Sequence, residues 1–159
     1  SPQISPAGRS LSFLNSIKAI RALIVDDSRF DSSVFSEFLK KMKIPEIEIF
    51  DDGPTALKAY EDSINEGGAF DIMIIDVELP GMDGIQIAEA VRYLEFKKNS
   101  NSCIIILVSG SDIPKNEVKR CLYPSGKIRA SEFLKKPASY DDLKRIILKK
   151  FYSLRSQFI

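Results

Sequence analysis

Five residues of this chain have the types and spacing to act as one chemical group: Asp26, Asp27, Asp76, Ser109 and Lys136. Asp76 closes the apolar run Ile72-Met73-Ile74-Ile75, and Pro80-Gly81 and Asp83-Gly84 follow it, so the chain turns sharply there. Asp26 and Asp27 follow Ala22-Leu23-Ile24-Val25, Ser109 follows Cys103 to Val108, and Lys136 follows Ala130 to Leu134. If those runs are parallel strands, all five groups collect at the carboxyl rim, where open α/β sheets bind ligands. Converging carboxylates repel one another and need a cation. An all-oxygen ligand set selects a hard ion, Mg²⁺ or Mn²⁺, which shares its shell readily with phosphate. A lysine ammonium adds a second point charge for a phosphoryl group, and a serine hydroxyl can donate to another of its oxygens. The set therefore suits a phosphoryl group held between metal and lysine, with an aspartate as nucleophile. Plainer roles exist for each residue alone. Asp26 and Asp27 could cap a helix, Ser109 could cap the next one, Lys136 could be solvated, and Asp76 could simply end a strand. All of these at once, at the ends of four strands, is the weaker account.

The elements that must position these groups are legible in the periodicity. Arg21 to Val25 reads as a buried strand, and Arg29 to Met42 as an amphipathic helix with Phe30, Val34, Phe38 and Met42 beside Phe35 and Leu39. Glu46 to Phe50 alternates, which suits a strand near a sheet edge. Asp51-Asp52-Gly53-Pro54 opens a second helix that turns Leu57, Tyr60 and Ile64 inward and stops at Gly67-Gly68. The continuous run before Asp76 suits a strand buried on both faces. A third helix over about 84–98 presents Ile85, Ala88, Val91 and Leu94 to the core. Cys103 to Val108 is a fourth strand, Pro114 to Leu122 a short helix, Ala130 to Leu134 a fifth strand. The last helix starts near Ser139, and its stripe Tyr140, Leu143, Ile147, Phe151, Leu154, Phe158 outlasts the sheet it covers. Five alternations of strand and helix predict a doubly wound α/β fold, a five-stranded parallel sheet with helices on both faces.

Composition narrows the chemistry further. The 159 residues are enough for one domain with a proper core, and no apolar run is long enough to cross a bilayer. Residues 1–19, rich in Ser and Pro, read as a linker or remnant in which Leu11, Leu14 and Ile17 could form a short helical turn; the domain proper is expected over 20–159. No secretion signal is evident, and Cys103 and Cys121 give neither metal spacing nor a disulfide framework, so a reducing cytoplasmic setting is expected. The absence of histidine excludes Ser-His-Asp and Cys-His catalysis, His-ligated zinc and a phosphohistidine formed within this chain. Residues 1–102 carry 11 basic and 17 acidic side chains, whereas 103–159 carry 12 and 5. The basic third has no clustered run with interleaved aromatics, so solvated helix faces explain it better than nucleic-acid binding does.

The combination of strand-Asp26-Asp27-Ser28, Asp76-x-x-x-Pro80-Gly81-Met82-Asp83-Gly84, strand-Ser109-Gly110 and Phe133-x-x-Lys136-Pro137 resembles the two-component response-regulator receiver domains, over about residues 20–157. The resemblance implies a flavodoxin-like sheet in the order 2-1-3-4-5. It implies that Asp76 is the phosphoacceptor and that Asp26, Asp27, Asp76 and the backbone carbonyl of Glu78 hold Mg²⁺. It further implies that Ser109 moves toward the phosphoryl group, that Phe133 is the switch aromatic, and that Lys136 pairs with the phosphoryl beside a cis bond to Pro137. Such a domain takes its phosphoryl from a histidine kinase or histidine phosphotransfer protein and catalyses only its own phosphorylation and dephosphorylation. The resemblance allows a homodimer through the face of the fourth helix, fifth strand and fifth helix. It leaves open a stand-alone regulator or a domain excised from a hybrid kinase.

Two features depart from the commonest pattern: a charged residue, Glu78, two positions after Asp76, and a long loop from Tyr123 to Arg129. A haloacid-dehalogenase-like phosphatase is the rival enzyme reading, but such enzymes want an aspartate where Glu78 stands. A phosphate-independent docking domain is the third reading, and the complete polar set argues against it.

Overall fold

The structure, a computed structural model, describes residues 20–156, with side chains as far as Phe151. The expected linker at 1–19 and the side chains of Leu154 and Phe158 lie outside the described residues. The elements alternate throughout: β1 (Arg21–Val25), α1 (Arg29–Lys41), β2 (Glu46–Phe50), α2 (Gly53–Asn65), β3 (Ile72–Asp76), α3 (Gly84–Lys98), β4 (Ile104–Ser109), α4 (Lys115–Leu122), β5 (Glu132–Lys135) and α5 (Tyr140–Ser156). All four pairings are parallel and the order is β2-β1-β3-β4-β5, as expected. Among the described residues no helix is long and apolar enough to cross a membrane.

Alternate residues of the central strands serve two separate cores, because successive side chains leave a strand on opposite faces. Leu23, Val25, Met73, Ile75, Ile105 and Leu107 pack with Tyr60 of α2, Ile87 and Val91 of α3, and Cys121 of α4. Ala22, Ile24, Ile72, Ile74, Ile104 and Ile106 pack with Phe35 and Leu39 of α1 and with Leu143, Ile146 and Ile147 of α5. This explains why β1, β3 and β4 read as continuous rather than alternating apolar runs.

Short turns at the carboxyl ends then aim the rim. Ser28 caps α1 by accepting from the Asp31 amide at 3.2 Å. Asp52 caps α2 and Asp83 with Gln86 forms a capping box on α3, each satisfying amide groups that a helix start leaves free. Gly84 is required at the start of α3: a Cβ there would run into the Asp76 carbonyl and the Val77 Cα. The helix can therefore begin hard against the end of β3.

Several boundaries and faces differ from the periodicity. Phe30 is exposed rather than inward, because the core-facing line of α1 is Ser32, Phe35, Ser36 and Leu39, and Phe30 lies off it near the rim. β4 starts at Ile104, since the Cys103 amide is taken by Glu95 Oε2 at 2.7 Å. β5 starts at Glu132, two residues late, since the Ala130 amide is spent on the Cys121 carbonyl at 2.8 Å. On α3 the deepest side chains are Ile87, Ala88 and Val91, while Ile85 and Leu94 are half-buried against the same core.

Sequence periodicity offered no sign that α3 buries an ion pair. Arg92 Nη1 lies 2.8 Å from Glu95 Oε1, and both side chains are at most 5% exposed. Arg92 also donates to the carbonyls of Ile128, Cys103 and Arg129 at 2.8–2.9 Å. Glu95 accepts in addition from the Tyr60 hydroxyl at 2.7 Å. Every charge is thus paired and hydrogen-bonded, which a buried ion pair requires. The network ties α2, α3, the start of β4 and the loop 123–129 into one block at the pole opposite the rim. Burial and the Glu95 charge push the Cys103 thiol up to about 12, so it is packing and not a reactive group. Arg92→Met strands Glu95 as an unpaired buried carboxylate, and the expected loss is about 3–5 kcal/mol. Urea unfolding checks this: the midpoint falls with the slope unchanged, whereas a midpoint near that of the wild type contradicts the account.

Candidate functional site

The carboxyl rim gathers the acids named from sequence. Asp26 follows β1 directly and is 3% exposed, and Asp76 ends β3 and is 5% exposed. Asp27 is exposed at the mouth. One carboxylate oxygen from each of the three lies within 4.8 Å of the others. Register explains the convergence: β1 and β3 are adjacent and parallel, with Val25 opposite Ile75, so their next residues emerge side by side.

Lys136 reaches the same cavity from β5's end. Its ammonium lies 3.0 Å from Asp26, 3.0 Å from Asp31 and 3.3 Å from Asp76, and the side chain is 15% exposed. Burial opposes that charge, but bonds to Asp31 and Asp26 and the charge of Asp76 outweigh it and hold the ammonium above its ordinary range. The Lys136–Pro137 bond is cis, as expected. Asp31 is a partner that strand-end reasoning did not single out; its signal is its place in the first turn of α1, directly over the rim.

Asp76 is set apart by its environment. Burial, then the charge of Asp26, push its carboxyl up to about 7, against the pull of Lys136. Its Oδ1 accepts from the Glu78 amide at 3.2 Å. Ser109, at the end of β4, is 1% exposed and donates its hydroxyl proton to Glu78 Oε1. The Ser111 amide donates back to Ser109 Oγ at 3.0 Å. Burial works against the charge of Glu78, yet hydrogen bonds with Ser109, Asp76 and Ser111 hold its carboxyl below the ordinary carboxylate range. Gly110 is exposed with nothing within 4 Å of where a Cβ would sit, so the approach beside Ser109 is open. Phe133 is half-buried against the core, one strand position before Leu134 and opposite Leu107.

The plainer roles do not survive this geometry. The cap of α1 is Ser28, not the aspartate pair; α4 is headed by Pro114 with no side-chain cap, so Ser109 caps nothing; and Lys136 is paired three times rather than solvated.

Similarity to known proteins covers most of the chain. The family model for the response regulator receiver domain matches residues 22–148. The chain belongs to the response regulator receiver domain family. This receiver domain is 34% identical over 134 residues to the sensor protein GacS of Pseudomonas syringae pv. syringae, covering 84% of this chain and 14% of that protein. It is 31% identical over 114 residues to the histidine kinase CKI1 of Arabidopsis thaliana, covering 67% of this chain and 10% of that kinase. The receiver thus spans only a small part of the curated relatives it matches. Among solved structures, the receiver domain of CKI1 complexed with Mg²⁺ superposes with a TM-score of 0.70 at 29% identity, covering 84% of this chain and 92% of that one.

The environment of Asp76 has a measurable consequence. An acid whose folded pKa is raised from 3.8 to about 7 binds its proton more tightly folded than unfolded, so its contribution is full below about pH 4 and is lost progressively as the pH rises to about 7. In EDTA-treated receiver, Asp76→Asn should therefore melt above wild type at pH 8. The expected gap is on the order of 1 kcal/mol or about 3 °C, closing as the pH approaches 4. A gap that does not change with pH contradicts this electrostatic account.

Proposed function

We propose that this receiver domain takes a phosphoryl group onto Asp76 from a phosphohistidine of a histidine kinase or phosphotransfer protein, and switches its own surface in response. The observation that carries the reading is one cavity holding three carboxylate oxygens within 4.8 Å, with the Lys136 ammonium 3.3 Å from Asp76. In the transfer, an Asp76 oxygen attacks phosphorus; the P–O bond forms as the P–N bond breaks, and the imidazole leaves with its electron pair. The domain contributes position and electrostatics, and is not an enzyme toward an external substrate.

The three-carboxylate donor set of Asp26, Asp27 and Asp76 suits Mg²⁺ (or Mn²⁺); the Glu78 backbone carbonyl is the further protein ligand that the family resemblance implies. When bound, the ion neutralises charge between the carboxylates and a phosphoryl oxygen. Asp27, exposed at the mouth, can take a hydrated ion without a buried entry path. The solved CKI1 receiver, complexed with Mg²⁺, supports the choice of ion.

Lys136 supplies the second charge, balancing the acids now and a phosphoryl later. Ser109 can donate to a phosphoryl oxygen, and Phe133, on the neighbouring strand opposite Leu107, can move toward the space a turning hydroxyl leaves, altering the surface of α4, β5 and α5. Phe30, 77% exposed three residues after Asp27, offers an apolar contact for a docking phosphodonor. Relatives that are long sensor kinases support a receiver that works within or beside such a kinase, and we place its work in the cytoplasm.

Two measurements test the reading. Intact-mass spectrometry after acetyl phosphate and Mg²⁺ should show one added phosphoryl group on wild type and none on Asp76→Asn; equal labelling of both ends the assignment. Phe30→Ala should leave labelling by acetyl phosphate intact but slow transfer from a phosphorylated histidine protein by about tenfold, the scale of one lost interface anchor. Unchanged transfer from the protein donor removes Phe30 from the docking surface.

A further inference from the structure

The Glu78 side chain takes no part in the phosphotransfer chemistry proposed for Asp76, yet its carboxylate accepts the Ser109 hydroxyl proton at the rim. Ser109 has one hydroxyl proton. Two acceptors compete for it, the Glu78 carboxylate and the Ser111 carbonyl at 3.1 Å. The charged acceptor makes the stronger bond. The other side of Ser109 Oγ is occupied by the Ser111 amide at 3.0 Å, so this hydroxyl is fixed from both directions. The Glu78 backbone is held in place, since its amide donates to Asp76 Oδ1 at 3.2 Å.

We propose that Glu78 is a latch: its carboxylate holds the Ser109 hydroxyl in the unphosphorylated domain and must release it before Ser109 can serve a phosphoryl group on Asp76. This rests on Asp76 being the phosphoacceptor. The release follows from charge. A phosphoryl group on Asp76 brings close to two negative charges beside Glu78, which repels the carboxylate, and offers Ser109 a better acceptor. Glu78 is exposed, so it can swing into solvent without a burial cost, whereas Ser109 is enclosed and can only rotate. The bond between them therefore sets the threshold for switching. Glu78 is a positioning residue acting through Ser109.

The test reads the Ser109 side-chain rotamer by NMR scalar couplings, together with the Ser111 amide shift, in metal-free protein and in protein with Mg²⁺ and beryllofluoride. Wild type should hold one rotamer when metal-free and change it with beryllofluoride. In metal-free Glu78→Ala the beryllofluoride-like rotamer should be populated about tenfold more than in wild type, the scale of one hydrogen bond to a charged acceptor. Glu78→Gln keeps the size and substitutes a neutral acceptor; it should move the same way by less, and it decides the question where the alanine variant cannot be measured. Metal-free variants whose Ser109 rotamer matches wild type overturn the latch even if the domain is phosphorylated normally. A wild type that takes up neither phosphoryl nor beryllofluoride overturns instead the phosphoacceptor role on which the latch rests.

Discussion

Like charge confined to a small, partly buried volume is the constraint around which this domain is organised. Two unit charges about 4 Å apart repel by roughly 4 kcal/mol at an effective dielectric constant of 20. Asp26 and Asp76 are both nearly inaccessible to water, so solvent cannot absorb that cost. The Lys136 ammonium, within 3.3 Å of each and bonded to Asp31 as well, offsets it. The cluster remains more negative than its lysine can balance, which favours a cation beside it. Burial, and then the charge of Asp26, raise the pKa of Asp76, and the excess of negative charge gives Lys136 its place.

A parallel sheet is what brings these groups together. Pairing β1 with β3, β3 with β4 and β4 with β5 in register sets four carboxyl ends at one level. Residues 110 positions apart in sequence, Asp26 and Lys136, thereby come within hydrogen-bonding distance. The rim is made of short turns held by caps and by a glycine that lets α3 start against β3, so little chain is free to relax away from the repulsion. Rigid strands beneath and tight turns above hold the site under electrostatic load.

The opposite pole solves a charge problem in another way. Arg92 and Glu95 neutralise each other in the interior and spend their remaining hydrogen-bonding capacity on Tyr60 and on backbone groups of the loops around them. One end of the sheet thus carries unbalanced charge open to a ligand, and the other carries balanced charge closed to water. The long loop 123–129, surplus to a compact fold, is fastened there by the buried Ile128 and by Arg92.

The sequence by itself determined the fold class, the element order and the five strand-end groups, because burial on two faces leaves continuous apolar runs and each run ends visibly on a polar residue. It also marked Cys103 as packing and β2 as an edge. Tertiary structure decided what no local period encodes. It turned Phe30 outward, because the core line of α1 runs through Ser32 and Ser36, whose polarity hides it. It delayed β5 and β4 by assigning the amides of Ala130 and Cys103 to partners distant in sequence. It added Asp31 to Lys136 and set Glu78 on Ser109, contacts across 105 and 31 residues that depend on sheet register. Periodicity reports which face a residue turns to the core; only the packed sheet says which charges meet there.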